Sequence, residues 1–188
     1  MTTPTRWNFA LSLLLGTLVL LSSSAVFAQA PRYVSPRRTV SLEFPRDNNK
    51  KISIDYGSPE AHGRKVFGGE MVPFDKVWRL GANKATHLTT DFDLVIGGQT
   101  IPAGTYSLFA IPSKDKWTLK INKATGMWGI PYKPEYDATE LAKVDLKVET
   151  MSATQERFVI TLAQTGNDNS LIFEWENTRA SVGFTIKK

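Results

Sequence analysis

The sequence contains no cysteine. That one absence removes thiol nucleophiles, zinc–thiolate centres, iron–sulfur clusters and disulfides, and with them lipid attachment at an N-terminal cysteine. Histidine is nearly as scarce, with only His62 and His87. No His-x-His pair, no His-Glu-x-x-His motif and no Gly-x-Ser-x-Gly elbow is present, so the spacings that mark zinc hydrolases and serine hydrolases are missing. Gly68-Gly69 lacks the following Lys-Ser or Lys-Thr of a phosphate-cradling loop. Positive charge is in modest excess, 23 Lys and Arg against 18 Asp and Glu, but it is scattered, with Arg37-Arg38 the only clear cluster. A nucleic-acid binder carries a basic stripe interleaved with aromatics, so no nucleic-acid partner is expected. Long apolar runs are limited to one, from Phe9 to Leu21, short of the roughly 20 residues that cross a bilayer.

That run begins an address. Arg6 precedes it, and Ser22-Ser23-Ser24-Ala25-Val26-Phe27-Ala28 follows, with Val26 and Ala28 small enough for a cleavage site after Ala28. Charged start, short apolar centre and small-residue end predict a signal peptide over residues 1–28. Residues 29–38 hold two prolines and no apolar period, and read as a flexible leader. Residues 39–188 are left as a single domain. The protein is therefore expected to be exported, periplasmic or extracellular, with no transmembrane segment after cleavage. A mature chain of about 160 residues fits one domain and buries roughly 70% of its unfolded surface, so it needs no disulfides.

Within the domain the period of two dominates. Val40, Leu42 and Phe44 alternate with polar neighbours, Pro45 to Asn49 forms a turn cluster, and Ile52, Ile54 and Tyr56 alternate again, which predicts a hairpin. Phe92 to Ile96 meets Gly97-Gly98, a pair suited to a two-residue hairpin turn. Thr105 to Ile111, Trp117 to Ile121, Ala142 to Val148, Phe158 to Leu162, Leu171 to Trp175 and Ser181 to Ile186 continue the series. About nine or ten short strands predict an all-β fold, an antiparallel β-sandwich or jelly-roll-like architecture. Asp137 and Glu140 allow one helical turn at most. Two segments break the pattern: 57–84, rich in glycine with Pro59 and Pro73, and 122–138, which contains Trp128-Gly129. Long irregular loops in a small domain are often functional.

The blocks Tyr56-Gly57-Ser58-Pro59, Gly63 to Gly68, Val77 to Thr86, Pro102 to Phe109, Trp128-Gly129 and Glu174-Trp175 together resemble a bacterial family known as domain of unknown function 2911. The resemblance covers nearly all of the mature chain. It implies an exported β-rich domain and no particular reaction.

Chemistry-bearing residues concentrate at Arg64, Trp78, Arg79, Asn83, Thr86 and His87. Arginine forks bind carboxylates or phosphates through two hydrogen bonds, tryptophan offers an apolar face and asparagine reads hydroxyls. One reading is a pocket for a small anionic or polyhydroxylated ligand, with no cofactor and no metal. The other is that the arginines and Asn83 tie down the loop by bonding its carbonyls while Trp78 joins the core. Trp117 and Trp175, in alternating strands, read as core, and Trp128 as exposed. An enzyme would have to use His62 or His87 with a carboxylate such as Glu60, Glu70 or Asp91, as a hydrolase or a metal-dependent catalyst. A third reading is a structural or assembly role, docking on an envelope protein partner through a strand edge or the basic leader.

Overall fold

Nine antiparallel strands form among the described residues, residues 34–166 and 168–187 of a computed structural model. They are β1 (Arg37–Phe44), β2 (Lys50–Gly57), β3 (Thr86–Thr90), β4 (Leu94–Ile96), β5 (Gln99–Ile101), β6 (Gly104–Pro112), β7 (Trp117–Asn122), β8 (Glu140–Thr165) and β9 (Asp168–Ile186). They pair in the order β1-β2-β3-β6-β7-β8-β9-β4-β5 as one open sheet. Two short 3₁₀ turns, Pro45–Asp47 and Pro134–Thr139, are the helical elements described. The expected signal peptide and residues 29–33 lie outside the described residues. Arg37 and Arg38, assigned to the leader by sequence, are the first residues of β1, where Arg37 pairs with Gly57 and Arg38 with Tyr56.

The alternation fixes which face each side chain takes. Ile52, Ile54 and Tyr56 of β2, Leu88 of β3 and Leu108 of β6 are buried on the inner face, so Asp55, His87 and Ser107 between them point outward. The inner face is covered by the later part of β8 and by β9, which gives the sandwich-like core. Tyr56 and Phe158 meet edge to face at 5.7 Å, and the Tyr56 hydroxyl accepts the Ile160 amide at 3.2 Å. Phe67, Trp78, Trp117, Phe158 and Trp175 form one aromatic cluster, with Trp78 and Trp175 stacked at 5.9 Å.

The runs Ala142 to Val148 and Phe158 to Leu162, separate in the sequence reading, belong to one bent strand. Residues 149–157 are mostly polar and mostly exposed, with Met151 and Ala153 the apolar exceptions, so no apolar period marks them, yet their backbone stays in the strand. Register shifts between Thr150 and Gln155 and between Gln155 and Val159 put extra residues on β8, and such bulges bend a strand.

The irregular segment after β2 is pinned along its length. Ser58 Oγ donates to the Phe158 carbonyl at 2.6 Å, and the Ala61 amide donates to that of Glu156 at 2.9 Å. Trp78 and Ala110 exchange backbone hydrogen bonds at 2.7 and 2.8 Å. Val66, Val72 and Leu80 complete the core. A second irregular segment, 123–139, covers the outer face of β6 and β7. There Tyr132 meets Phe109 at 5.1 Å, and the buried Lys120 ammonium sits 2.6 Å from Asp137 and 2.9 Å from Glu140.

Candidate functional site

Where these two irregular segments approach each other over β2 and β3, they leave a cavity of about 600 Å³ lined by Arg37, Asp55, Asn83, Lys84, His87, Gly126 and Trp128. Strand pairing builds its floor. Asp55 is opposite His87 across β2 and β3, and His87 is opposite Ser107 across β3 and β6. In an antiparallel pair, directly opposed side chains share a face about 5 Å apart.

Arg37 supplies positive charge but spends most of its donors within the fold. Its Nε reaches both Asp55 oxygens at 2.9 and 3.0 Å, and its two terminal nitrogens donate to the carbonyls of Lys84, Asp55 and Ala85. It thereby holds the end of the loop against β2. Lys84, by contrast, has no ion-pair partner among the described residues. Asn83 takes a left-handed backbone, φ 65°, and donates to the Ser35 carbonyl at 3.2 Å.

His87 is half-buried. Burial, then the nearby charges of Arg37 and Lys84, hold its pKa below the ordinary histidine value, while Asp55 opposes them. The imidazole is therefore neutral at pH 7. Its Nε2 accepts the Gly126 amide at 3.4 Å, which puts the ring proton on Nδ1.

Trp128 forms the rim and is 55% exposed. The Arg79 guanidinium sits over its ring at 6.0 Å and also approaches its carbonyl at 3.4 Å. Gly129 allows this approach: with φ +93°, any Cβ there would stand 3.1 Å from that of Arg79 and 3.2 Å from that of Ala85.

Of the residues singled out by sequence, Asn83 and His87 line the cavity and Arg79 supports its rim. Trp78 does not line it: it is 7% exposed inside the aromatic cluster, and its indole N–H donates to the Gly81 carbonyl. Thr86 is buried with its hydroxyl donated to the Leu80 carbonyl at 2.6 Å. Arg64 lies elsewhere and bonds the carbonyls of Ala61 and Glu60 at 2.8 and 3.0 Å, the tying role that was the alternative for the loop arginines. His62 belongs to a third cluster, with Nε2 3.2 Å from Glu60, which also pairs with Arg157. The Asp91 carboxylate accepts the Lys51 amide. His62 thus meets Glu60, one of the named carboxylates, but the pair stands apart from His87, and no group of three His, Asp or Glu able to hold a metal occurs among the described residues.

Sequence reasoning missed Arg37, Asp55, Lys84 and Ser107. The alternation of β2 puts Asp55 on the outward face, but its pairing with His87 crosses the long loop between β2 and β3, and no turn signal sets that register. Arg37 is marked in the sequence only as half of the Arg37-Arg38 pair, because its partners are contributed by β2 and the far end of the loop. Asp55, His87 and Ser107 form a row of triad residue types, yet no hydrogen bond joins His87 to either neighbour. The Ser107 hydroxyl is buried without a partner among the described residues.

The model of a family described as "Protein of unknown function (DUF2911)" matches residues 35–184. No curated protein and no solved structure matches the chain.

Proposed function

The chain belongs to the DUF2911 family, and we propose that it is an exported, non-catalytic β-sandwich that binds a small anionic or polyhydroxylated molecule in the cavity beside Trp128. The observation that carries this reading is Trp128 itself. The other described tryptophans are buried, whereas this one is exposed at the rim of a cavity, with Lys84, whose ammonium has no ion-pair partner among the described residues, beside it. Pockets of about 300–1,000 Å³ with an aromatic wall and a few convergent polar groups are what small ligands occupy. Arg37 and Asp55 would frame the site, Lys84 would meet negative charge, and Asn83 and neutral His87 would read hydroxyls.

The test is a fluorescence and thermal-shift titration with citrate, glucose and glucose 6-phosphate. At least one should change Trp128 emission and raise the melting temperature, and both responses should vanish in Trp128→Ala. A ligand at a hundred times its Kd adds about 2.7 kcal/mol, well within detection. The reading fails if none of the three probes has an effect.

The enzyme reading rests on the Asp55–His87–Ser107 row. Ester hydrolysis lost in Ser107→Ala would favour it over binding alone.

A further inference from the structure

Inward positions of β9 run Asn169, Leu171, Phe173, Trp175, and all four are buried. Three are apolar, as the inner face of a sandwich requires. Asn169 is not. It is 6% exposed, its Oδ1 is buried without a donor, and its side chain makes no hydrogen bond among the described residues. An unpaired buried amide is costly, and its position explains what could pair it.

Asn169 lies at the end of the space between the layers and lines a cavity of about 670 Å³. Phe44 and Phe92, edge to face at 5.1 Å, form the apolar wall of that cavity. Lys50, whose ammonium sits 5.0 Å from the centre of the Phe92 ring, and Lys187 stand at its rim. Neither lysine has an ion-pair partner among the described residues, and Asp47 and Gln164 complete the polar edge. No residue is shared with the Trp128 cavity.

We propose that this cavity is a second binding site, for a cyclic hydroxylated carboxylate of the sugar-acid class. An amide offers a donor and an acceptor together, and a hydroxyl answers both. Two unpaired ammonium groups call for a carboxylate, and two phenyl rings call for the apolar face of a ring. A neutral sugar satisfies the amide and the rings but leaves the lysines unanswered. A simple carboxylate does the reverse.

The experiment is calorimetric titration of Trp128→Ala, which removes the first site, with glucuronate, glucose and acetate. Glucuronate should bind with one equivalent, and glucose and acetate at least tenfold more weakly. Asn169→Ala should weaken glucuronate at least tenfold. The double variant Lys50→Met, Lys187→Met, at exposed positions where folding is safe, should do the same. The proposal is overturned if glucuronate does not bind Trp128→Ala, if both variants bind it unchanged, or if glucose binds equally well. Loss of all probe binding at Trp128 with glucuronate still bound here would sink the first site and leave this one standing.

Discussion

A histidine kept neutral by burial and by two cations is a group whose charge state a ligand can change. The pKa of His87 lies below its ordinary value because desolvation and the charges of Arg37 and Lys84 all disfavour the imidazolium. In the unfolded chain it titrates near pH 6.5. The unfolded state therefore takes up the proton first as pH falls. The stability contributed by neutral His87 is complete above about pH 6.5 and drains away as pH drops toward the lower folded value. The gap in melting temperature between the wild type and His87→Asn should then narrow from pH 8 to pH 5. A gap that stays constant would mean that His87 does not titrate differently on folding. An anion bound beside His87 adds the opposite effect, since negative charge favours the imidazolium. Affinity for an anionic ligand should strengthen as pH falls toward the lowered His87 pKa, and that pH dependence should disappear in His87→Asn.

The element that decides whether a site exists is the loop between β2 and β3, and its anchors come from far away in the chain. Glycines and prolines made its irregularity legible in the sequence. They said nothing of Glu176, 110 residues from its partner, whose carboxylate accepts the amides of Val66 and Phe67 at 2.9 and 3.2 Å. Glu176 does so from a left-handed backbone, φ 50°, which no strand pattern signals. At the other end, a Cβ on Gly57 would stand 1.9 Å from the Ala82 carbonyl oxygen, so glycine there is a packing requirement. Glu176→Ala leaves two amides without their charged acceptor and should cost about 1–3 kcal/mol. Limited trypsin digestion should then cut at Lys65 or Lys76 faster than in the wild type. An unchanged melting temperature and digestion rate would show that the loop is held by its buried Val66, Phe67 and Leu80 alone. The same contrast explains the mixed fate of the sequence-derived site. Asn83 sits just before β3 and His87 within it, and the pairing of β3 with β2 and β6 carries His87 to the outer face. Arg64 and Trp78 sit in loop positions where a pocket residue and a core or tying residue look alike.

At the scale of the molecule, the sandwich was legible because each strand alternates, whereas its closure was not. One face of each strand reads as apolar, but the mostly polar stretch 149–157 hides the fact that β8 continues through a bend. The two long strands are what make the halves inseparable. The start of β8 pairs with β7, the rest of it pairs with β9, and the end of β9 pairs with β4. The aromatic cluster then joins β7, β8, β9 and the loop across the interior. A chain wired in this way has no subset of strands that keeps its inner face covered once the rest is lost. Unfolding in denaturant should therefore show one transition, with the midpoint from tryptophan emission, which reports the interlayer cluster, matching that from far-UV circular dichroism, which reports the strands. Ligands at either cavity should move that shared midpoint. In thermal unfolding, saturation at a hundred times Kd should raise the melting temperature by roughly 5–10 °C for a domain of this size. If tryptophan emission changes at lower denaturant than the strand signal, the cluster opens while the sheet persists. The two cavities, which share β1 and β2 but take their remaining walls from β3 in one case and from β8 and β9 in the other, would then respond to ligands with separate midpoints.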